Sequence, residues 1–189
     1  QISIKAKVLA VVGRIRPVKG QRIVLQSLSQ LLLEFSDLVL LMPYRDTSEN
    51  EAEMQALRSD ISRLELEAHV RLIPEREDIL ALMEFADAGI VSSVDSEVIC
   101  RVAVEFFSVG TPVVAFPTGC LPEIIRHAEN GLLTKDQTQE ALTDELRKIL
   151  TDPELCESLG QGARRDAEIR FNPQNMLTET LEVFERSLN

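Results

Sequence analysis

Cysteine and histidine are scarce in this sequence. The three cysteines, Cys100, Cys120 and Cys156, are odd in number and far apart, which argues against a disulfide framework and against a zinc ribbon. Two histidines among 189 residues argue against a histidine-rich metal site. We therefore expect a reducing, cytoplasmic setting and no bound metal.

Long apolar runs and an overall basic charge are also missing. No run reaches the roughly 18 residues that a membrane-spanning helix needs, and the first residues show no signal-peptide pattern. The net charge of −11 argues against nucleic-acid binding, because a phosphate backbone requires a basic face. Gln1 stands where a start methionine would be, so we expect a piece of a longer chain.

A basic segment opens this acidic chain. Residues 1–33 contain six lysines and arginines and no acid. The whole chain carries −11 and this segment carries +6, so the other 156 residues carry −17. A cationic island in an acidic protein indicates a bound small anion, and a solvated basic strand and helix would give the same pattern.

Apolar runs alternate with amphipathic helical stretches along the chain. The predicted strands are 8–12, 38–42, 69–73, 88–92, 112–116 and 131–133, and Pro43 is expected to end the second one. The predicted helices are 19–34, 49–67, 76–85, 100–109, 122–127, 137–150, 153–168 and 173–188. The last two begin at Asp152-Pro153 and Asn172-Pro173, a cap residue followed by proline. This alternation predicts one α/β domain over 1–189, a doubly wound, Rossmann-like parallel sheet of about six strands, with a mainly helical tail at 137–189.

Ligands of such sheets bind beyond the carboxyl ends of the strands. The loops to consider are therefore 13–19, 43–48, 74–76, 93–99 and 117–121. The first has neither the dinucleotide fingerprint nor the P-loop spacing, but it places Arg14 and Lys19 on either side of a turn. Arginine offers a planar fork to phosphate oxygens and lysine a compact charge, which suits an anion. The alternative is an arginine that caps the loop and a lysine in solvent.

Two glutamates flank the start of the helix predicted at 100–109. Glu105 lies in a stretch that is apolar nearly all round, so we expect it to be buried. It then either pairs with Arg101 one turn earlier or accepts hydrogen bonds in the ligand cleft. Glu97 lies in the preceding loop, on the other side of a helix N-terminus whose free N–H groups suit phosphates. A nucleotide sugar, with hydroxyls at both ends and phosphates between, matches this layout.

Several short motifs occur in a fixed order along nearly the whole chain. They are Gly13-Arg14, Lys19-Gly20, Glu97 and Glu105 with seven residues between them, Gly110-Thr111-Pro112-Val113-Val114-Ala115, Pro122-Glu123-Ile124-Ile125 and Asn130-Gly131-Leu132-Leu133. The ordered set resembles the C-terminal domain of group 1 retaining glycosyltransferases of the GT-B fold.

The resemblance implies a nucleotide-sugar donor site. By analogy Arg14 and Lys19 hold the diphosphate, Glu97 contacts the donor sugar as the catalytic group, and Glu105 contacts the ribose. Backbone N–H groups near Ile99, Cys100 and Arg101 contact the diphosphate, and the base lies near 73–76. The nucleoside diphosphate sugar is a co-substrate, no further cofactor is implied, and the absence of an Asp-x-Asp motif removes a sequence requirement for a metal.

The resemblance also implies a missing half. An N-terminal acceptor domain would complete the cleft, and the full enzyme would transfer sugar to a glycan or lipid-linked acceptor in cell-envelope polysaccharide biosynthesis, with peripheral membrane association as one option. Two alternatives stay open: sugar-nucleotide epimerases share the GT-B fold and a pyrophosphate site, although the spacing of Glu97 and Glu105 favours transfer, and the replacement of the family's E-G-F-G run by Glu97-Val98-Ile99-Cys100 supports a module without catalysis. One is half of a sugar-nucleotide epimerase, and the other is a non-catalytic doubly wound module that binds nucleotide or protein.

Overall fold

A single six-stranded sheet forms the centre of the computed structural model, which describes Ser3 and residues 5–45 and 51–187. The strands are β1 (Lys7–Ala10), β2 (Leu38–Tyr44), β3 (Val70–Pro74), β4 (Ala88–Val91), β5 (Val113–Ala115) and β6 (Gly131–Leu133). Their order is β3-β2-β1-β4-β5-β6, and every pairing is parallel. The predicted doubly wound parallel sheet is therefore confirmed.

Strand β1 is the centre of this topology. On one side Val8 is in register with Val39, and on the other Leu9 is in register with Ala88. The chain winds outward in opposite directions from β1 and β4, so the loops that follow these two strands separate. This switch point creates a crevice at the carboxyl ends of β1 and β4.

Helices cover both faces of the sheet. They are α1 (Gln21–Leu31), α2 (Glu51–Arg63), α3 (Ile79–Glu84), α4 (Arg101–Ser108), α5 (Leu121–Ile124), α6 (Gln139–Thr151), α7 (Pro153–Ile169) and α8 (Pro173–Ser187), with a 3-10 turn at Pro17–Lys19. Side chains alternate across the sheet, so Leu9 joins a core with α1, α2 and α6, whereas Val8 joins a core with α3, α4 and α5.

The C-terminal helices begin where the cap signals predict. Asp152 accepts a hydrogen bond from the Leu155 amide at 2.9 Å, and Asn172 accepts one from the Gln174 amide at 2.8 Å. Helices α6 and α7 belong to the domain, because α6 packs on α1 and α7 packs on α4. Helix α8 has no buried residue. No helix in the described ranges is both long and apolar enough to cross a lipid bilayer.

The expectation that Pro43 ends β2 was wrong. Pro43 is paired in register with Ile73, and the strand continues to Tyr44. The Leu40 amide donates to His69 on the β3 side, whereas Leu41 faces the other side and accepts from Val11. By alternation the nitrogen of Pro43 also faces that other side, beyond the last β1 pair, so its missing N–H removes no ladder hydrogen bond.

Candidate functional site

The loops that follow β1 and β4 are bound to each other at the switch point. The Val94 amide donates to the Val18 carbonyl at 2.9 Å, and the Ser92 hydroxyl donates to the Lys19 carbonyl at 2.8 Å. Gly20 makes this approach feasible, because it has φ 67° and a Cβ there would lie 2.1 Å from the Ser92 carbonyl oxygen. Only glycine therefore fits at position 20, where the chain enters α1 beside the residue that follows β4.

Lys19, Ser93 and Glu97 form a hydrogen-bonded cluster in the crevice. Lys19 Nζ lies 2.6 Å from Glu97 Oε2, and the Ser93 hydroxyl donates to the same oxygen. The Glu97 side chain is only 9% exposed and that of Lys19 is 29% exposed. In the described part of the chain no hydrogen bond is made to Glu97 Oε1, so this oxygen can accept one from a ligand hydroxyl.

The alternative of a lysine in solvent is therefore wrong for Lys19. The 3-10 turn at Pro17–Lys19 directs its side chain into the crevice, where it neutralises the largely buried carboxylate of Glu97. Removing Lys19 consequently affects stability as well as any anion that binds there.

The loop after β5 supports Glu97 from the opposite side. The Cys120 amide donates to the Glu97 carbonyl at 2.8 Å, and the Thr118 hydroxyl donates to the Ser93 carbonyl at 2.6 Å. Gly119 has φ 56°, and a Cβ there would lie 2.2 Å from the Glu97 carbonyl oxygen. Three consecutive residues thus fix the backbone of the 93–97 loop.

Arg14 remains exposed at the mouth of the same crevice. It forms no ion pair within the described ranges, and its backbone carbonyl accepts a hydrogen bond from Gln21 Nε2 at 2.8 Å. Its neighbour Ile15 is buried in the core and anchors the loop. Arg14 therefore offers a solvated guanidinium on a fixed backbone.

The basic segment proves to be partly paired. Lys7 lies 3.5 Å from Asp87, Lys19 pairs with Glu97, and Arg22 pairs with Asp60. The hydrogen bond from Arg22 holds the pKa of the Asp60 carboxyl below its ordinary value, although burial opposes this effect. Much of the +6 charge thus stabilises the fold.

Six of the predicted site residues share one cleft of about 280 Å³. They are Arg14, Lys19, Glu97, Ile99, Cys100 and Arg101. Helix α4 begins at Arg101 with Cys100 as its N-cap, and the Cys100 side chain makes no capping hydrogen bond. The first N–H groups of α4 therefore have no side-chain acceptor at the cap. Burial raises the pKa of the Cys100 thiol to about 12, so this thiol stays protonated near neutral pH.

Glu105 is half-buried, and the expectation of a buried carboxylate was wrong. Helix α4 turns Ala103, Phe106 and Phe107 towards the core and leaves Glu105 at the edge of that face. Within the described residues no ion pair joins Glu105 to Arg101. Both line a second cleft of about 430 Å³ together with Arg14, which favours the cleft over the salt bridge.

The second cleft also reaches the loop predicted to lie near the base. Glu75 and Arg76, in that loop, line it together with Tyr44 and Arg45. Arg45 lies 3.0 Å from Glu75, which closes one end of the cleft. Residues 46–48 of the predicted ligand loop lie outside the described residues. Across the described part of the chain, no group of three or more His, Cys, Asp or Glu side chains could hold a metal ion.

Comparison with known proteins assigns this arrangement to a family. The sequence model described as "Glycosyl transferases group 1" matches residues 1–166. The chain belongs to the glycosyl transferases group 1 family.

Named relatives agree with the assignment. The "D-inositol 3-phosphate glycosyltransferase" of Jonesia denitrificans is 32% identical over 184 residues, covering 95% of this chain and 43% of the relative. "Spore coat protein SA" of Bacillus subtilis is 28% identical over 185 residues, covering 96% and 49%. The crystal structure of Anabaena Alr3699/HepE in complex with UDP superposes with a TM-score of 0.90 at 26% identity, covering 96% and 49%. This group 1 chain thus spans about half the length of the curated relatives it matches.

Several residues of this group 1 site were missed by sequence reasoning. Ser93 bonds Glu97, Thr118 and Gly119 support the 93–97 loop, and Gln21 bonds the loop of Arg14. A serine directly after an apolar strand was the only available signal, and it points to Ser93. Nothing local in the sequence distinguishes Gln21 from a solvated residue at a helix start.

Proposed function

We propose that this chain is the nucleotide-sugar donor half of a retaining glycosyltransferase that transfers a sugar to a glycan or lipid-linked acceptor. The observation that carries the proposal is the convergence of Arg14, Lys19, Glu97 and the start of α4 on one cleft. Two cations and a helix N-terminus beside a carboxylate fit a diphosphate joined to a polyhydroxyl group. The UDP complex of the Anabaena relative supports a nucleoside diphosphate as the ligand.

In the proposed reaction the bond between the anomeric carbon and the phosphate oxygen breaks. Its electron pair stays on the diphosphate, while the acceptor oxygen forms the new bond to carbon and passes its proton to an oxygen of the departing diphosphate. Arg14, Lys19 and the N–H groups of α4 stabilise the negative charge that develops on the diphosphate. Because Lys19 is held by its ion pair with Glu97, and the loops after β1 and β4 are bonded to each other, little reorganisation of this side of the cleft is needed when the charge appears.

The two glutamates hold opposite ends of the donor in this proposal. Glu97 Oε1 accepts a hydrogen bond from a donor-sugar hydroxyl while Oε2 stays bonded to Lys19 and Ser93. Glu105 accepts hydrogen bonds from the ribose hydroxyls in the second cleft. The base then lies towards residues 73–76. We further propose that no metal is needed, so nucleotide affinity is expected to be unchanged by EDTA.

The acceptor half and the cellular setting are part of the same proposal. The relatives are about twice as long, which supports a second domain that supplies the acceptor site. We place the whole enzyme in the cytoplasm, at cell-envelope polysaccharide synthesis, with peripheral membrane association. The name of the Jonesia relative specifies an inositol phosphate, so acceptor assays should include that class.

Calorimetric titration of the chain with UDP, GDP and ADP tests the donor site. We expect one of these to bind, and Arg14→Ala to weaken it roughly 10- to 100-fold, since a hydrogen bond to a charged group contributes about 1.5–3 kcal/mol. Arg165→Ala is the matched control, because this exposed arginine lies beside the amino ends of the strands. Equal affinities of the wild type and Arg14→Ala would contradict the anion site.

Glu105→Gln and Arg101→Ala test the second cleft. We expect Glu105→Gln to keep the fold and to weaken nucleotide binding, because the amide loses the charge that favours two ribose hydroxyls. Arg101→Ala should leave stability nearly unchanged, since no ion pair with Glu105 is lost. A large destabilisation by Arg101→Ala would favour the salt bridge instead.

The chain alone is expected to transfer no sugar, because it supplies only one side of the cleft. Incubation with UDP-glucose and a panel of acceptors, followed by mass spectrometry, checks this expectation. A glycosylated product would contradict the proposal that a second domain supplies the acceptor site.

One observation favours the non-catalytic alternative. Val98 is 79% exposed and Ile99 is 78% exposed, where the family has small and aromatic residues. Two large aliphatic side chains in solvent suit a protein-binding surface. Failure of all three nucleotides to bind would support this alternative over the donor site.

A further inference from the structure

Gln21, the first residue of α1, carries an unsatisfied buried polar atom. Its side chain lies beside the 280 Å³ cleft, and the residue is only 2% exposed. Among the described residues, its Oε1 is the one fully buried side-chain oxygen or nitrogen without a hydrogen-bond partner. Buried polar atoms are almost always paired, so this exception requires a physical reason.

The orientation of the amide is fixed by its one hydrogen bond. Gln21 Nε2 donates to the Arg14 carbonyl at 2.8 Å. A carbonyl oxygen can only accept, so the amide nitrogen has to face Arg14. Rotating the amide by half a turn would place Oε1 against another acceptor. Oε1 is therefore left unpaired as a consequence of the contact with Arg14.

That contact is directed at the backbone of Arg14, an exposed cation that lines the cleft. The Arg14 guanidinium makes no ion pair in the described part of the chain, so no side-chain partner holds it. Only the backbone on either side restrains it, through the Gln21 hydrogen bond and the buried Ile15. The position from which the guanidinium reaches the cleft thus depends on Gln21.

We infer that Gln21 is a positioning residue, which holds the Arg14 loop ready for the diphosphate and leaves its own Oε1 unpaired in doing so. The inference rests on the proposed donor function. An apolar side chain of the same length would remove the unpaired acceptor together with the one hydrogen bond to the Arg14 carbonyl, so the two effects offset and the unliganded domain gains little net stability from the amide. Gln21 therefore favours binding over stability, as functional residues often do.

Gln21→Met tests the inference, since methionine is also unbranched but has neither the amide donor nor the amide acceptor. We expect the Kd of the nucleotide that binds best among UDP, GDP and ADP to rise about tenfold. The melting temperature should change little, because removal of the unsatisfied buried acceptor offsets the lost hydrogen bond to the Arg14 carbonyl. A residue needed only for the fold would show a lower melting temperature instead.

A control and a double variant separate positioning from general packing. Ser27→Ala removes another buried hydrogen bond of α1, the one from its hydroxyl to the Gln139 carbonyl at 3.2 Å, and should lower the melting temperature without changing Kd. In an Arg14→Ala background, Gln21→Met should change Kd less than twofold, because its effect passes through Arg14.

The outcomes divide clearly. Unchanged Kd in Gln21→Met, or the same tenfold loss with and without Arg14, would overturn the positioning role while leaving the donor site intact. Absence of nucleotide binding by the wild type would instead overturn the proposed function and, with it, this inference. If circular dichroism shows that Gln21→Met does not fold, Gln21→Leu provides the same comparison, and misfolding of both would overturn the inference.

Discussion

Lys19→Met should destabilise the domain by about 2 kcal/mol. Breaking a fully buried ion pair costs about 3–5 kcal/mol, and an exposed pair contributes about 0.2–1 kcal/mol. The Lys19–Glu97 pair lies between these limits, because the Glu97 side chain is 9% exposed and that of Lys19 is 29% exposed. Without Lys19, the carboxylate keeps only the Ser93 hydroxyl as a donor. For a domain of this size, 2 kcal/mol corresponds to a melting temperature about 4–8 °C lower.

Urea unfolding monitored by circular dichroism measures this effect. The set consists of Lys19→Met, Glu97→Gln and the double variant. We expect the loss of unfolding free energy in the double variant to be about 1–2 kcal/mol smaller than the sum of the two single losses, because the neutral glutamine leaves no charge for the lysine to neutralise. Arg186→Met is the control, since Arg186 lies 3.3 Å from Glu182 and their side chains are 79% and 54% exposed, so the loss should stay below about 1 kcal/mol.

Two results would refute the reasoning. If Glu97 were well solvated, Lys19→Met would destabilise the domain no more than the control does, so equal losses in the two variants would contradict the burial argument. Additive losses in the double variant, within about 0.5 kcal/mol, would show that the two side chains act independently.

Three further predictions concern other groups of the domain. Asp60→Asn should lower the free energy of unfolding at neutral pH. The difference in this free energy between variant and wild type should narrow as the pH falls below about 4, because the lowered pKa of Asp60 stabilises the fold above the ordinary pKa and this stabilisation is lost when the folded state is protonated. Urea unfolding at several pH values checks this, and a difference that does not change with pH would contradict it. Asp166→Ala should cost about 1–3 kcal/mol in thermal unfolding, because the amide of the buried Asn130, which donates to Asp166 at 2.7 Å, loses that acceptor; an unchanged free energy of unfolding would contradict this. The third prediction uses a Cys120→Ser/Cys156→Ser variant, in which Cys100 is the remaining cysteine. Iodoacetamide at pH 8 should label Cys100 at least about tenfold more slowly in the native than in the urea-unfolded protein, because the buried thiol stays protonated. Equal labelling rates would contradict the raised pKa.

The sheet could be predicted from the sequence because it depends on local patterns. Five of the six predicted strands were short apolar runs, the sixth, 69–73, also contains His69 and Arg71, and each of the six stretches overlaps a strand of the sheet. The role of Pro43 could not be predicted, because it depends on where the neighbouring strand β1 ends. Local patterns carry no information about such a neighbour.

The candidate site was predictable in its members but not in its contacts. Arg14, Lys19 and Glu97 share a cleft, whereas the ion pair between Lys19 and Glu97 joins residues 78 positions apart. Glu105 was misjudged because most of its sequence neighbours are apolar, although the eight-residue helix α4 buries only one side. Gln21 gave no signal, because its partner is a backbone carbonyl.

Gly20 and Gly119 determine where the nucleotide preference of the proposed donor site could be re-engineered. Both hold a positive φ and both face a backbone carbonyl at a distance that no Cβ tolerates, so libraries that vary either position would consist mainly of misfolded members. Sequence variation is better introduced at Tyr44 and Arg76, because their side chains line the second cleft, which neither Gly20 nor Gly119 lines. Directed evolution at those two positions can then sample new nucleotides while the loops that carry the charged groups stay in place.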